Sequence, residues 1–114
     1  MSLEPELEET ARIARDLIRF DTSNYGEGVS NGETDAAEYL GALLEDIGLT
    51  PQYLDSDPGR TSVVARVEGA DSSKPALVVH GHTDVVPADP ANWSVDRSAA
   101  RSVTECSGAA APWI

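Results

Sequence analysis

Cysteine is nearly absent from this sequence: Cys106 is the one cysteine in 114 residues. An internal disulfide framework is therefore excluded, and a reducing compartment is the default. Basic residues are also scarce. Eight Lys and Arg stand against 20 Asp and Glu, giving a formal charge of −12 and a pI near 4.3. Such a balance argues against nucleic acid or an anionic membrane as the main partner. No apolar run approaches the roughly 20 residues of a membrane span. The first residues, Met-Ser-Leu-Glu-Pro-Glu, lack the basic and apolar regions of a signal peptide, so a cytoplasmic location is expected. Internal repeats are lacking too. What is present is 40% apolar residues, enough for one modest domain with a core.

Residues 5–20 are expected to be helical. Pro5 suits a first turn, Glu6, Glu8 and Glu9 complement the helix dipole, and Leu7, Ala11, Ala14, Leu17 and Ile18 share a stripe. Residues 21–32, with three glycines and short polar side chains, are expected to form a loop. Ser30 and Glu33 then have capping-box spacing before a second helix with the stripe Ala36, Leu40, Leu43, Leu44 and Ile47. Gly48 is its expected stop. Strands are expected at residues 51–54 and 61–67, with turns at 55–59 and 69–75. The run at 76–79, Ala-Leu-Val-Val, has no polar alternation and is expected to be a strand buried on both faces. Helices followed by such strands predict an α/β layered fold still missing elements.

Both histidines of the chain stand at the end of that last run, in Leu-Val-Val-His-Gly-His-Thr-Asp-Val-Val-Pro at residues 77–87. Ligands in open α/β sheets collect at the carboxyl ends of strands. In extended backbone His80, His82 and Asp84 project to one side. A neutral imidazole binds zinc through one nitrogen, and a nearby carboxylate orients it and raises its basicity. By spacing, His82 and Asp84 suit either that role or a satisfied structural pair. His80 is expected to be structural, closing the buried strand.

The same stretch, with a short spacer and Trp93, resembles the first metal-binding motif of a zinc hydrolase family. That family includes acetylornithine deacetylase, succinyl-diaminopimelate desuccinylase, aminoacylase and glutamate carboxypeptidase. Residues 17–23, Leu-Ile-Arg-Phe-Asp-Thr-Ser, resemble its end-of-first-helix segment, and residues 33–49 its second helix. The resemblance runs from about Leu7 to Asp96. It implies that residues 1–96 are the N-terminal portion of a three-layer α/β/α catalytic domain, incomplete here. It further implies that His82 ligates one zinc of a two-metal site, with cobalt a possible substitute, and that Asp84 is the carboxylate orienting the imidazole. A glutamate would be the general base, and the substrate an N-acyl amino acid or short peptide. Neither nucleic acid nor membrane is an implied partner, and a homodimer is expected only of the full-length family protein. The family's later metal motifs, beginning with Gly-Arg-Gly-x-x-Asp-Met, are missing after Asp96.

Residues 97–114 leave the family pattern where Pro-Phe should follow Trp-Ser-x-Asp, and are expected to be a poorly ordered tail. Their Arg, Ala, Ser and Gly bias suits out-of-frame reading of GC-rich codons. In one permitted codon series, restoring a single C after the Asp96 codon converts the tail to Pro-Phe-Gly-Gly-Glu-Ile-Arg-Asp-Gly-Val-Leu-Trp-Gly-Arg-Gly-Ala-Val-Asp-Met. On that reading Cys106 is an accident of frame, Trp113 an unpaired apolar residue and Glu105 a surface charge. Such a chain is expected to lack activity. The alternatives are an inactive remnant of such an enzyme or a small acidic binding module. The frame reading predicts that the codons of residues 97–114, shifted by one base, encode Gly-Arg-Gly-x-x-Asp. The nucleotide sequence decides it, and any other string there removes the idea.

Overall fold

A computed structural model describes residues 5–94 and residue 96, with side chains described from Glu8 onward. The chain divides into two compact units, Thr22–Val85 and the described residues on either side of it. In the flanking unit, helix α1 spans Pro5–Ile18. It stops two residues short of the expected end. The last turn tightens instead into the bonds Arg19 N to Asp16 O and Phe20 N to Leu17 O, both 3.2 Å. A single 3₁₀ turn at Pro90–Asn92 opens on Asp89, whose carboxylate accepts from Ala91 N. Among the described residues no helix is long and apolar enough to cross a membrane.

The unit Thr22–Val85 begins with a small hairpin inside the expected loop. Strands β1 (Asn24–Gly26) and β2 (Val29–Ser30) pair antiparallel around Glu27 and Gly28. Both turn residues have positive φ, +53° at Glu27 and +80° at Gly28, as a two-residue hairpin turn requires. Glu is not a residue that signals this turn, which is why the polar stretch reads as a loop.

Helix α2 spans Thr34–Asp46. Its start differs from the expected capping box. Glu33 is the N-cap residue and makes no side-chain cap, while the Ser30 hydroxyl accepts from Gly32 N at 3.0 Å. Its end is as expected. Gly48, at φ +88°, donates to Glu45 O, and Leu49 N reaches back to Leu44 O, which together form a Schellman closure. The buried face is Ala36, Ala37 and Gly41, with Leu40, Leu43 and Leu44 half-buried and Ile47 exposed. That face packs on β4.

Strands β3 (Gln52–Asp55) and β4 (Thr61–Val64) form a second antiparallel hairpin, in register from Gln52 opposite Val64 to Asp55 opposite Thr61. Strand β4 ends three residues before the expected boundary. The turn between them ties directly to α2. Gly59 O accepts from Glu33 N at 2.8 Å, and the Thr34 and Thr61 hydroxyls meet at 2.8 Å. The architecture is thus helices with small antiparallel sheets, a mixed α/β arrangement.

The expected buried strand at residues 76–79 is not formed. The segment lies outside the described strands, and Leu77 and Val79 are 87% and 86% exposed. An apolar run becomes a buried strand only when neighbours supply both its hydrogen bonds and its cover, and the described residues supply neither. Its chain is caught further on, where Val85 forms an isolated parallel bridge with Ser23.

Packing of α2 on the hairpin depends on a missing side chain. A Cβ at Gly41 would collide with the Tyr53 phenol ring. Tyr53 is 44% exposed and its ring can swing aside, so Gly41→Ala is expected to destabilise the unit by only about 1 kcal/mol, the lost ring packing outweighing the better helix propensity of alanine. Urea unfolding followed by circular dichroism measures this, and Tyr53→Phe combined with Gly41→Ala should recover part of the loss.

Candidate metal-ligand site

The site is assembled by a backbone clasp. Val85 N donates to Thr22 O at 3.1 Å, and Asn24 N donates to Val85 O at 2.8 Å. The Thr22 hydroxyl adds a bond to Thr83 O at 2.6 Å. Residues 83–85 are thereby laid along residues 22–24, and both Thr22 and Ser23 are buried. Asn24 is fixed at its other end, because its Oδ1 accepts from Gly26 N at 2.9 Å in an Asx turn.

Asp84 emerges from this clasp with its two oxygens differently engaged. Oδ2 accepts from Asn24 Nδ2 at 2.9 Å and from Arg60 Nη2 at 3.4 Å. Oδ1 faces His82 Nδ1 at 3.1 Å. The Asn24 amide, helped by His82 and the Arg60 charge, holds the Asp84 carboxyl below its ordinary range. Arg60 in turn forms a 2.8 Å ion pair through Nε with Glu33 Oε2. That hydrogen bond, with the surrounding carboxylates, raises the guanidinium pKa. Glu33 is only 5% exposed, and its second oxygen, Oε1, is buried with no protein partner.

His82 is 83% exposed at its side chain. Its Nδ1 lies 2.7 Å from Asp84 O as well as 3.1 Å from Asp84 Oδ1. A carbonyl and a carboxylate can only accept, so Nδ1 carries the proton. In the neutral ring the lone pair then resides on Nε2. This arrangement can present one oriented nitrogen donor.

The structure thus brings His82 and Asp84 together, as their spacing predicts. His80 stands on the exposed run and does not close a buried strand, because that strand is not formed. Among the described residues no group of three or more His, Cys, Asp or Glu side chains is placed to hold a metal ion. Glu105, Cys106 and Trp113 lie outside the described residues. Asn24, Arg60 and Glu33 escape sequence reasoning. Asn24 and Asp84 are 60 positions apart and Arg60 and Asp84 are 24 apart, so only the folded chain reveals the set.

Because Asp84 titrates low in the fold, its ionised contacts stabilise the folded chain above the ordinary carboxylate pKa. That contribution is lost as pH falls through the lowered value. Asn24→Ala removes the largest cause, so the Asp84 pKa should rise toward 3.8. Side-chain carboxyl NMR titration reads the shift, and an unmoved Asp84 would contradict this assignment of cause.

The chain is similar to two acetylornithine deacetylases. With that of Vibrio campbellii it is 29% identical over 65 residues, which cover 57% of this chain and 16% of that protein. With that of Vibrio atlanticus it is 26% identical over 85 residues, 74% of this chain and 22% of that protein. The matched stretch is thus a small part of each relative's length. No protein-family model matches the chain, and no solved structure matches it. The similarity is distant and partial.

Proposed function

We propose that the chain is the N-terminal part of the catalytic domain of a zinc-dependent hydrolase, and that alone it is inactive. The bond cleaved would be the amide of an N-acyl amino acid or short peptide. Supporting this are the similarity to two acetylornithine deacetylases and the state of His82. The single observation that carries most weight is the capture of His82 Nδ1 by two acceptor-only partners, which leaves Nε2 as the donor atom.

The residues fit one corner of a zinc site. His82 Nε2 is the nitrogen ligand, and zinc accepts imidazole as a ligand in tetrahedral sites. Asp84 holds the proton at Nδ1, fixes the ring and raises the basicity of Nε2. When bound, a pair of such ions would polarise an amide carbonyl and lower the pKa of water, and cobalt would substitute for zinc. The other ligands, the glutamate base and the specificity-determining parts belong to sequence beyond residue 96 on this proposal. So do the remaining strands of a three-layer α/β/α domain and the surface for a homodimer. A cytoplasmic setting, with neither nucleic acid nor membrane as partner, belongs to the same reading.

One histidine with a positioned carboxylate should bind zinc weakly. Calorimetric titration of the 114-residue chain is expected to give weak binding that falls at least about ten-fold in His82→Ala, with no hydrolysis of N-acetylated amino acids. Tight, saturable one-to-one binding that survives His82→Ala would replace this proposal with a self-contained metal-binding module.

A further inference from the structure

We propose that Arg60 is a positioning residue for His82: held by the buried Glu33, it clamps one oxygen of Asp84 so that the other is presented to the imidazole. Calling the imidazole a metal donor rests on the function proposed above, but the clamp itself stands on the contacts. Four side chains form one directed chain. Glu33 Oε2 takes Arg60 Nε at 2.8 Å, Arg60 Nη2 reaches Asp84 Oδ2 at 3.4 Å, and Asp84 Oδ1 meets His82 Nδ1 at 3.1 Å.

The geometry of arginine matters here. Its planar guanidinium offers donors in fixed directions, so one group can serve two carboxylates at once. Nε is spent on Glu33 and Nη2 on Asp84. A lysine ammonium in the same place supplies charge but has no planar fork. Glu33 provides the anchor. It sits at the N-cap of α2, nearly fully buried, and its backbone N is itself tied to Gly59 O, the residue before Arg60. Both ends of the Glu33–Arg60 pair are thus set by the β3–β4 turn and the helix start. Asn24 holds Asp84 Oδ2 from the other side. A carboxylate can otherwise rotate about its terminal bond, which is broad and roughly two-fold. Two donors of separate origin on Oδ2 remove that freedom and leave Oδ1 for His82. The unpartnered Oε1 of Glu33 also explains the choice of a cation. A buried carboxylate with one free oxygen depends on its single ion pair for compensation.

The test reads the imidazole directly. At about pH 8.5, some two units above the ordinary imidazole pKa of ~6.5, ¹⁵N NMR distinguishes the two tautomers of a neutral imidazole. The wild-type chain is expected to show a single Nδ1–H form and resolved Arg60 Nη proton signals. Arg60→Lys, which keeps a cation for Glu33, is expected to loosen the Asp84 Oδ1 contact and so shift the His82 Nδ1–H resonances, while the 2.7 Å bond to Asp84 O keeps the ring in its Nδ1–H form and the helical circular dichroism is unchanged. Zinc affinity should fall about ten-fold in the same variant. A folded Arg60→Lys chain whose His82 Nδ1–H resonances are unmoved overturns the proposal. Should that variant not fold, the wild-type spectrum decides, since freely rotating, averaged Nη signals from Arg60 would equally overturn it. Absence of zinc binding alongside that resonance shift would remove the metal reading and leave the clamp standing.

Discussion

The clasp between residues 22–24 and Val85 is the contact on which the rest of the site depends. It joins the start of the unit to its end, and nothing between His82 and Arg60 would be in place without it. Its cost is mainly the entropy of closing a loop. Helix α2 and the β3–β4 hairpin already tie the chain together as far as Val64. The segment still to be closed is then about 20 residues, worth roughly 3 kcal/mol. Three hydrogen bonds at about 1 kcal/mol each come close to matching that cost. Neither term wins decisively. The contacts of Asp84 with Asn24 and Arg60 therefore decide whether residues 83–85 stay docked, and the assembly of the site and the folding of the segment are the same event.

The interior of the unit gives this balance its character. The buried apolar residues are Ala36 and Ala37, while Thr22, Ser23, Glu33 and Thr61 are buried polar groups. Small apolar side chains contribute little transfer free energy. Buried polar groups contribute only when satisfied, and each lost partner exposes the desolvation already incurred. The thread Asp55–Thr61–Thr34 is satisfied at 2.6 and 2.8 Å. Glu33 is satisfied on one oxygen alone. Directional bonds, more than apolar volume, thus specify how α2, the two hairpins and the clasp meet.

What could be read from the sequence follows from the range of the interactions involved. Gly48 was legible as the end of α2 because a Schellman closure is local and needs a residue with positive φ. The start of α2 was not. Ser30 and Glu33 have capping-box spacing, but Gly32 N claims the hydroxyl and Arg60 claims the carboxylate. The first hairpin was hidden because its turn places Glu27, not asparagine or glycine, at positive φ. Within the candidate site, the His82–Asp84 pair was legible from a spacing of two in extended backbone. Asn24 and Arg60 were not, since their roles come from hairpins that meet only in three dimensions. Residues 76–79 carry a different lesson. An apolar run states what a segment requires of its neighbours, and whether those neighbours exist lies elsewhere in the chain.

That run has a consequence for how the molecule behaves in a mixture. Leu77, Val78 and Val79 lie outside the described strands and expose aliphatic side chains together, and exposed apolar backbone outside a sheet is what another strand can recruit. Folding does not retire this run, since the folded unit leaves it as open as the unfolded chain does, and association along it competes with folding at every stage. The behaviour of the chain therefore carries a concentration variable, and a midpoint measured at one concentration belongs to the solution as much as to the sequence.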